Sequence, residues 1–148
     1  MKIRLIENKN QEDVLVEIHC SEVNNEINQL VELINSHHLS ITGKDQNESV
    51  VLPINRIYYF EAVDNKVFAY LKEQVYEVEY KIQELNDMLK DTSFIQISRT
   101  VILNIRNVYK IKTMVNGRMM AELNNQEKLI ITRLYAKGFK DKLKGGSK

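Results

Sequence analysis

Two arginines carry the most nameable chemistry in this chain. Arg99 stands in the polar triplet Ser98-Arg99-Thr100 between two strand-forming runs, and Arg133 closes a third run in "LIITRLY". A guanidinium can donate two parallel hydrogen bonds to a guanine in the major groove, worth about 1–3 kcal/mol of discrimination between bases. A further polar break, Asp64-Asn65-Lys66, separates two other strand-like runs. Arg106, Lys110, Arg118 and Lys137, with Lys112, Lys128 and Lys140, offer cations to phosphates, contacts that position a protein without reading sequence. Taken singly, each lysine reads as an ordinary solvated charge.

Other chemistries fit the residues poorly. His19-Cys20 is the nearest approach to a thiol dyad, but neighbours on a strand point to opposite faces. The remaining histidines, His37 and His38, have no third ligand at metal spacing. Adjacent residues do not share a helix face, so these two suit the negative end of a helix better than a metal. Five glycines are scattered, two of them in the tail, and make no phosphate loop. Glu77 and Glu79 share one face of an expected strand and read as solvated carboxylates. The sequence therefore predicts no catalytic residue, no metal and no cofactor.

Several elements must hold the arginines. "MKIRLIEN" and "DVLVEIHC" alternate around the polar "NKNQE", which predicts a hairpin. Val23, Ile27, Leu30, Val31 and Ile34 form one stripe of a helix, with Ser21 as its N-cap and Glu22 and Glu26 near its positive end. "TGKDQNES" reads as a loop and a module boundary. Short strands crowd the chain after it, with Pro53 suited to a strand start or edge. Ile82, Leu85 and Leu89 predict a short helix. Asn116-Gly117 is a hairpin signal, and Tyr135, Phe139 and Leu143 predict a closing helix. The resulting divisions are a β-β-α extension over 1–42, a linker over 43–49, a mainly β module with short helices over 50–143, and a flexible tail over 144–148.

Composition sharpens this. Residues 1–91 hold 9 Lys/Arg and 17 Asp/Glu, a net of −8, whereas residues 92–148 hold 12 and 3, a net of +9. A basic half of this kind points to a polyanionic partner. Cys20 is the single cysteine, which excludes an intramolecular disulfide and fits a reducing compartment. No apolar run exceeds five residues, against the roughly 20 a membrane helix needs. The N-terminus has no signal-peptide pattern, so a cytoplasmic protein without membrane insertion is expected.

"FIQISRTVILNIRNVYKI" resembles the central signature of LytTR-type DNA-binding domains, Phe-x-Arg-x-His-Arg/Lys-Ser-Tyr-x-Val-Asn after a short helix. Phe94, Arg99, Thr100, Ile102, Leu103 and Asn104 match it identically or conservatively. "INRIYYFEAVDNKVFAYL" resembles the family's opening strands, and "LIITRLYAKGFKDKL" its closing Ser/Thr-Arg-x-Tyr and helix. The resemblance implies an elongated, antiparallel, multi-sheet fold whose loops enter successive major grooves of double-stranded DNA. It implicates Asn65, Lys66, Ser98, Arg99 and Arg133 in base contacts, with Arg106, Lys110, Arg118 and Lys137 on phosphates. Asn104 is expected to hold a turn rather than touch a base.

Ser98 stands where the family commonly has histidine and Val101 where it commonly has tyrosine, so a relative's half-site does not transfer. The first 42 residues leave no room for the receiver domain that many members carry. The resemblance suggests instead a stand-alone transcription regulator, a homodimer on repeated half-sites, with a membrane protein as a possible inhibitor. Dimerisation or partner docking through Val23, Ile27, Leu30 and Ile34 is the expected role of the extension. The alternative is a small-ligand-sensing or protein-interaction module that has kept the fold without DNA binding.

Overall fold

The computed structural model of the chain describes residues 1–37 and 39–144. Expectations for His38 and for the tail after Lys144 lie outside the described residues. Helix α1 (Asn25–His37) leads into the hairpin β1 (Ser40–Asp45) and β2 (Glu48–Pro53). Then come β3 (Tyr59–Val63), β4 (Lys66–Tyr70), β5 (Val75–Val78) and α2 (Ile82–Met88). The chain continues through β6 (Phe94–Gln96), β7 (Val101–Asn104), β8 (Val108–Thr113), β9 (Met119–Leu123) and β10 (Lys128–Ile131), and closes with α3 (Arg133–Leu143). Seven strands form one sheet in the order β2-β1-β5-β4-β3-β7-β6, and three form a second, β10-β9-β8. All pairings are antiparallel, so the mainly β class with short helices is as expected.

The larger sheet is covered on both faces, and the strand period of two sorts its side chains between two cores. On β3, Phe60 joins Leu85 of α2 and Leu89 just after it, while Tyr59 joins the opposite cluster. On β7, Ile102 goes with Phe60; Val101 and Leu103 go with Met119, Ala121 and Leu123 of β9, Ile131 of β10, and Ala136 and Phe139 of α3. A strand buried on both sides has no solvent face to alternate with, which is why Val101-Ile102-Leu103 is continuously apolar. Each full burial of such a side chain contributes on the order of 1.5–3 kcal/mol.

Three expectations are corrected. The hairpin of the extension does not form as strands: residues 1–24 carry a turn, where the Gln11 N–H donates to the Asn8 carbonyl at 3.0 Å, but no strand ladder. An isolated two-stranded ribbon is marginal without an apolar surface to cover. Val14, Val16 and Ile18 line a shallow cleft with Val31, Ile34 and Asn35, whereas Ile3, Leu5 and Ile6 stay exposed.

Helix α1 begins at Asn25 rather than after Ser21. The Asn24 side chain caps it, its Oδ1 accepting from the Ile27 N–H at 3.0 Å, a role asparagine fills as well as serine does.

"TGKDQNES" is no linker but the β1–β2 hairpin, with Ser40 opposite Pro53 and Asp45 opposite Glu48. Gly43 is a packing residue there: an added β-carbon would fall 2.8 Å from Leu52 Cδ1 and 2.9 Å from Tyr76 Cβ. Glycine inside a strand marks such close approaches as well as turns. Ile41, expected in the extension, belongs to the larger core. Pro53 ends β2, the edge strand, where a missing N–H costs no ladder bond.

Candidate nucleic-acid interface

One end of the larger sheet gathers the residues that could read a base. β3 and β4 are joined by Asp64-Asn65, both with left-handed φ (52° and 64°), the geometry of a tight two-residue hairpin turn. Beside it runs the β6–β7 turn, Ser98-Arg99-Thr100. The register Glu61↔Val101 continues into a bond from the Ala62 N–H to the Thr100 carbonyl (2.9 Å), so both turns lie at the same sheet end. Thr132 then ties the start of α3 to this place: its N–H donates to the Ile97 carbonyl at 3.0 Å and its hydroxyl to the same oxygen at 3.4 Å. Arg133, the next residue, opens α3 and is thereby fixed beside Ser98 and Arg99.

Local chemistry shapes each turn. The Ser98 hydroxyl oxygen accepts from the Thr100 N–H at 3.3 Å, and the Gln96 side-chain amide donates to the Ser98 carbonyl at 2.9 Å. Ser98 is half-buried and holds the turn, leaving Arg99 and Thr100 exposed at its tip. Asn65, Lys66, Arg133 and Lys137 are exposed as well. Among the described residues, neither ion pair (Lys44 with Glu79, Lys142 with Glu32) involves Lys66, Arg99, Arg133 or Lys137. Their charges are therefore uncommitted, as an anion-facing surface requires. Lys137 and Lys140 follow Arg133 at i+4 and i+7, one face of α3.

The remaining phosphate candidates scatter. Lys110 lies on β8, in register with Glu122, which faces Lys128 on β10, so its charge sits in an alternating row. Arg118 is half-buried at the base of the β8–β9 hairpin. Arg106 leaves the group: it follows the opposite end of β7, about 10 Å of strand away at ~3.3 Å per residue. Its guanidinium donates to the Gln29 carbonyl of α1 at 3.0 Å. With Asn35 donating to the Asp91 carbonyl (3.1 Å) and Glu32 near Lys142 (3.7 Å), Arg106 docks α1 on the β module.

Asn104 is 1% exposed. Its Oδ1 accepts from the Ser93 hydroxyl (2.7 Å) and the Arg106 N–H (3.2 Å), and its Nδ2 donates to the Ile57 carbonyl (3.1 Å). It holds a chain reversal, as its type and position lead one to expect.

The two sheets are joined at Tyr59, whose hydroxyl donates to Glu127 Oε2 at 2.6 Å while its ring stacks on Tyr70 with centroids 4.4 Å apart. Burial, then the Glu127 carboxylate, push the Tyr59 phenol well above its usual range; burial also raises Tyr70.

Sequence reasoning read Asn116-Gly117 only as a turn. It is one, with φ of 63° and 77°, but its tip lies against Arg133: a β-carbon added to Gly117 would stand 2.7 Å from Arg133 Cγ and 3.0 Å from Cδ. No local signal announces a contact between residues so far apart in sequence.

Known proteins can be set beside this geometry. Residues 47–144 match the LytTr DNA-binding domain. A protein named an uncharacterized HTH-type transcriptional regulator in Staphylococcus aureus strain bovine RF122 is 25% identical over 145 residues, 97% of this chain and 98% of that one. Its counterpart in strain NCTC 8325 is 24% identical over the same shares. The solved structure of a LytTr DNA-binding domain from Bacillus cereus superposes with a TM-score of 0.67 at 25% identity, covering 70% of this chain and 95% of that one. No two α-helices are consecutive among the described residues, so the helix-turn-helix in the relatives' names has no counterpart here. No helix among them is long and apolar enough to cross a membrane. The match over residues 47–144 establishes that the chain belongs to the LytTr DNA-binding domain family.

Proposed function

We propose that the chain regulates transcription by reading the major groove of duplex DNA with three loops at one end of its larger sheet. Lys66 with Asn65, Arg99, and Arg133 are the base-reading groups, and Lys137 with Arg118 and Lys110 sit on phosphates. The observation that carries this reading is the pair of hydrogen bonds from Thr132 to the Ile97 carbonyl, which bring Arg133 beside Ser98-Arg99-Thr100. Two unpaired arginines held by rigid backbone suit bidentate contacts to bases. The function requires no catalytic step and no cofactor, and its place is the cytoplasm, where bacterial-type regulators meet DNA.

In this reading two protomers occupy a repeated half-site, joined through the extension. Support comes from apolar side chains left in solvent: Ile3, Leu5, Ile6, Val14, Leu15 and Val16 are each more than half exposed. Ile27, Leu30 and Ile34 are half-buried, so the offered surface is this segment with Val23, Val31 and Leu33. A membrane-protein inhibitor would compete for the same surface. Sedimentation of the full chain and of a Val14→Ser/Val16→Ser variant tests the dimer; a monomer in both removes it.

The DNA reading is tested by fluorescence anisotropy on the duplex upstream of the chain's own gene and on a scrambled duplex, across a salt series. The expected result is tighter, salt-dependent binding to the first, lost with Arg99→Ala and Arg133→Ala. If random-sequence selection with the full chain also enriches no motif, the proposal fails.

A further inference from the structure

We propose that Gly117 is a positioning residue for Arg133: the bare backbone at the tip of the β8–β9 hairpin sets the direction in which the guanidinium leaves α3. This rests on the reading of Arg133 as a base-contacting group. The three heavy atoms nearest to a β-carbon at Gly117, its chain neighbours aside, all belong to the Arg133 side chain: Cγ at 2.7 Å, Cδ at 3.0 Å and Cβ at 3.7 Å. Neither ion pair among the described residues includes Arg133. The stem of Arg133 lies instead against the tip of the hairpin.

An arginine free to sample all its rotamers loses about 2 kcal/mol of entropy when it is fixed on a base. Packing the first half of the side chain before DNA arrives reduces that loss. It also directs the planar donors, on which a bidentate contact depends. Any side chain at position 117 occupies the space of Cγ and Cδ and turns the guanidinium elsewhere, while leaving its charge in place.

Gly117 also has φ of 77°, so the hairpin alone gives a reason for glycine. The two reasons separate experimentally. Asparagine tolerates left-handed backbone far better than other residues, so Gly117→Asn keeps the turn yet still brings a β-carbon onto Arg133. Asn116→Gly is the control that perturbs the same turn without adding an atom near Arg133.

The experiment uses the full-length chain in five forms: unaltered, Gly117→Asn, Asn116→Gly, Arg133→Ala and Gly117→Asn/Arg133→Ala. Urea midpoints confirm that each is folded. Affinities are then compared between the duplex selected by the unaltered chain and duplexes changed at one base pair, at fixed salt. Arg133→Ala is expected to reduce discrimination at one base pair by about 5- to 150-fold, the span of a bidentate contact. Gly117→Asn is expected to reduce discrimination at that same pair by threefold or more (~0.65 kcal/mol). Its salt slope should not change, because no phosphate contact is removed. In the Arg133→Ala background, where Cγ and Cδ are gone, Gly117→Asn should have no further effect, and Asn116→Gly should have none at all.

Unchanged discrimination in Gly117→Asn beside a responsive Arg133→Ala overturns the positioning role and leaves the reading role intact. An equal loss from Gly117→Asn in the Arg133→Ala background also overturns it, because the effect then passes through the turn alone. Unchanged discrimination in Arg133→Ala overturns the reading role, and the positioning role with it.

Discussion

Asn104→Ala separates a residue that holds the fold from one that touches DNA. The side chain is buried and makes three hydrogen bonds, to the Ser93 hydroxyl, the Arg106 N–H and the Ile57 carbonyl. These groups fare differently once the amide is gone. The Ile57 carbonyl keeps the Asn107 side-chain amide at 3.3 Å, and the Arg106 N–H, only partly buried, can reach water. The Ser93 hydroxyl, 2% exposed, is orphaned. One fully buried orphan costs about 1–3 kcal/mol, and the two other bonds about 0.5–1.5 kcal/mol each.

The expected loss is thus about 2–6 kcal/mol, a large share of the ~5–15 kcal/mol that stabilises a domain. Urea denaturation followed by far-UV circular dichroism should show the midpoint falling by about 1 M or more, with an unchanged slope. Ser93→Ala should cost little in the Asn104→Ala background, because it removes the orphan, so the two substitutions should couple by at least about 1 kcal/mol. Base discrimination by the folded fraction should not change. A loss under about 1 kcal/mol, combined with altered discrimination at one base pair, would refute this reasoning and make Asn104 a DNA-contacting residue.

Four further outcomes are expected. Arg99→Ala should relax selectivity by about 1–3 kcal/mol at one base pair, whereas Lys137→Ala should weaken binding to all duplexes alike and make the salt slope shallower by about one; anisotropy titrations on selected and scrambled DNA distinguish them. Tyr59→Phe should cost about 1.5–3 kcal/mol near neutral pH, for a hydrogen bond to a carboxylate. Because the folded chain holds the Tyr59 proton above its ordinary value of 10.0, that stability is fully present below this pH and is lost as pH rises towards the folded value, so denaturation midpoints of Tyr59→Phe should fall less steeply than those of the unaltered chain above pH 10. Phe139→Ala empties a fully buried site in the core shared by the second sheet and α3 and should cost about 3–5 kcal/mol, measured by thermal unfolding.

The sequence alone was sufficient wherever the determinant is local or periodic. The alternation of the strands, the stripe Leu85/Leu89, the helix under Tyr135 and Phe139, and the left-handed Asn116-Gly117 turn all follow from backbone preference and from which neighbours share a face. The signature around Phe94 to Asn104 then pointed to the family, and the charge imbalance between the halves to the kind of partner. Tertiary structure decided what depends on residues distant in sequence. Gly43 looked like a linker glycine because its need, the narrow gap between Leu52 and Tyr76, exists only once β1, β2 and β5 are side by side. The alternating residues 1–20 looked like a hairpin, but alternation describes a face and does not supply the surface to cover it. Arg106 looked like a phosphate contact, since charge is visible in a sequence while the Gln29 carbonyl that takes its donor is not. The start of α3, with Arg133, is tied near Ser98 by the Ile97 carbonyl, whose two hydrogen bonds with Thr132 form only when that helix reaches the larger sheet.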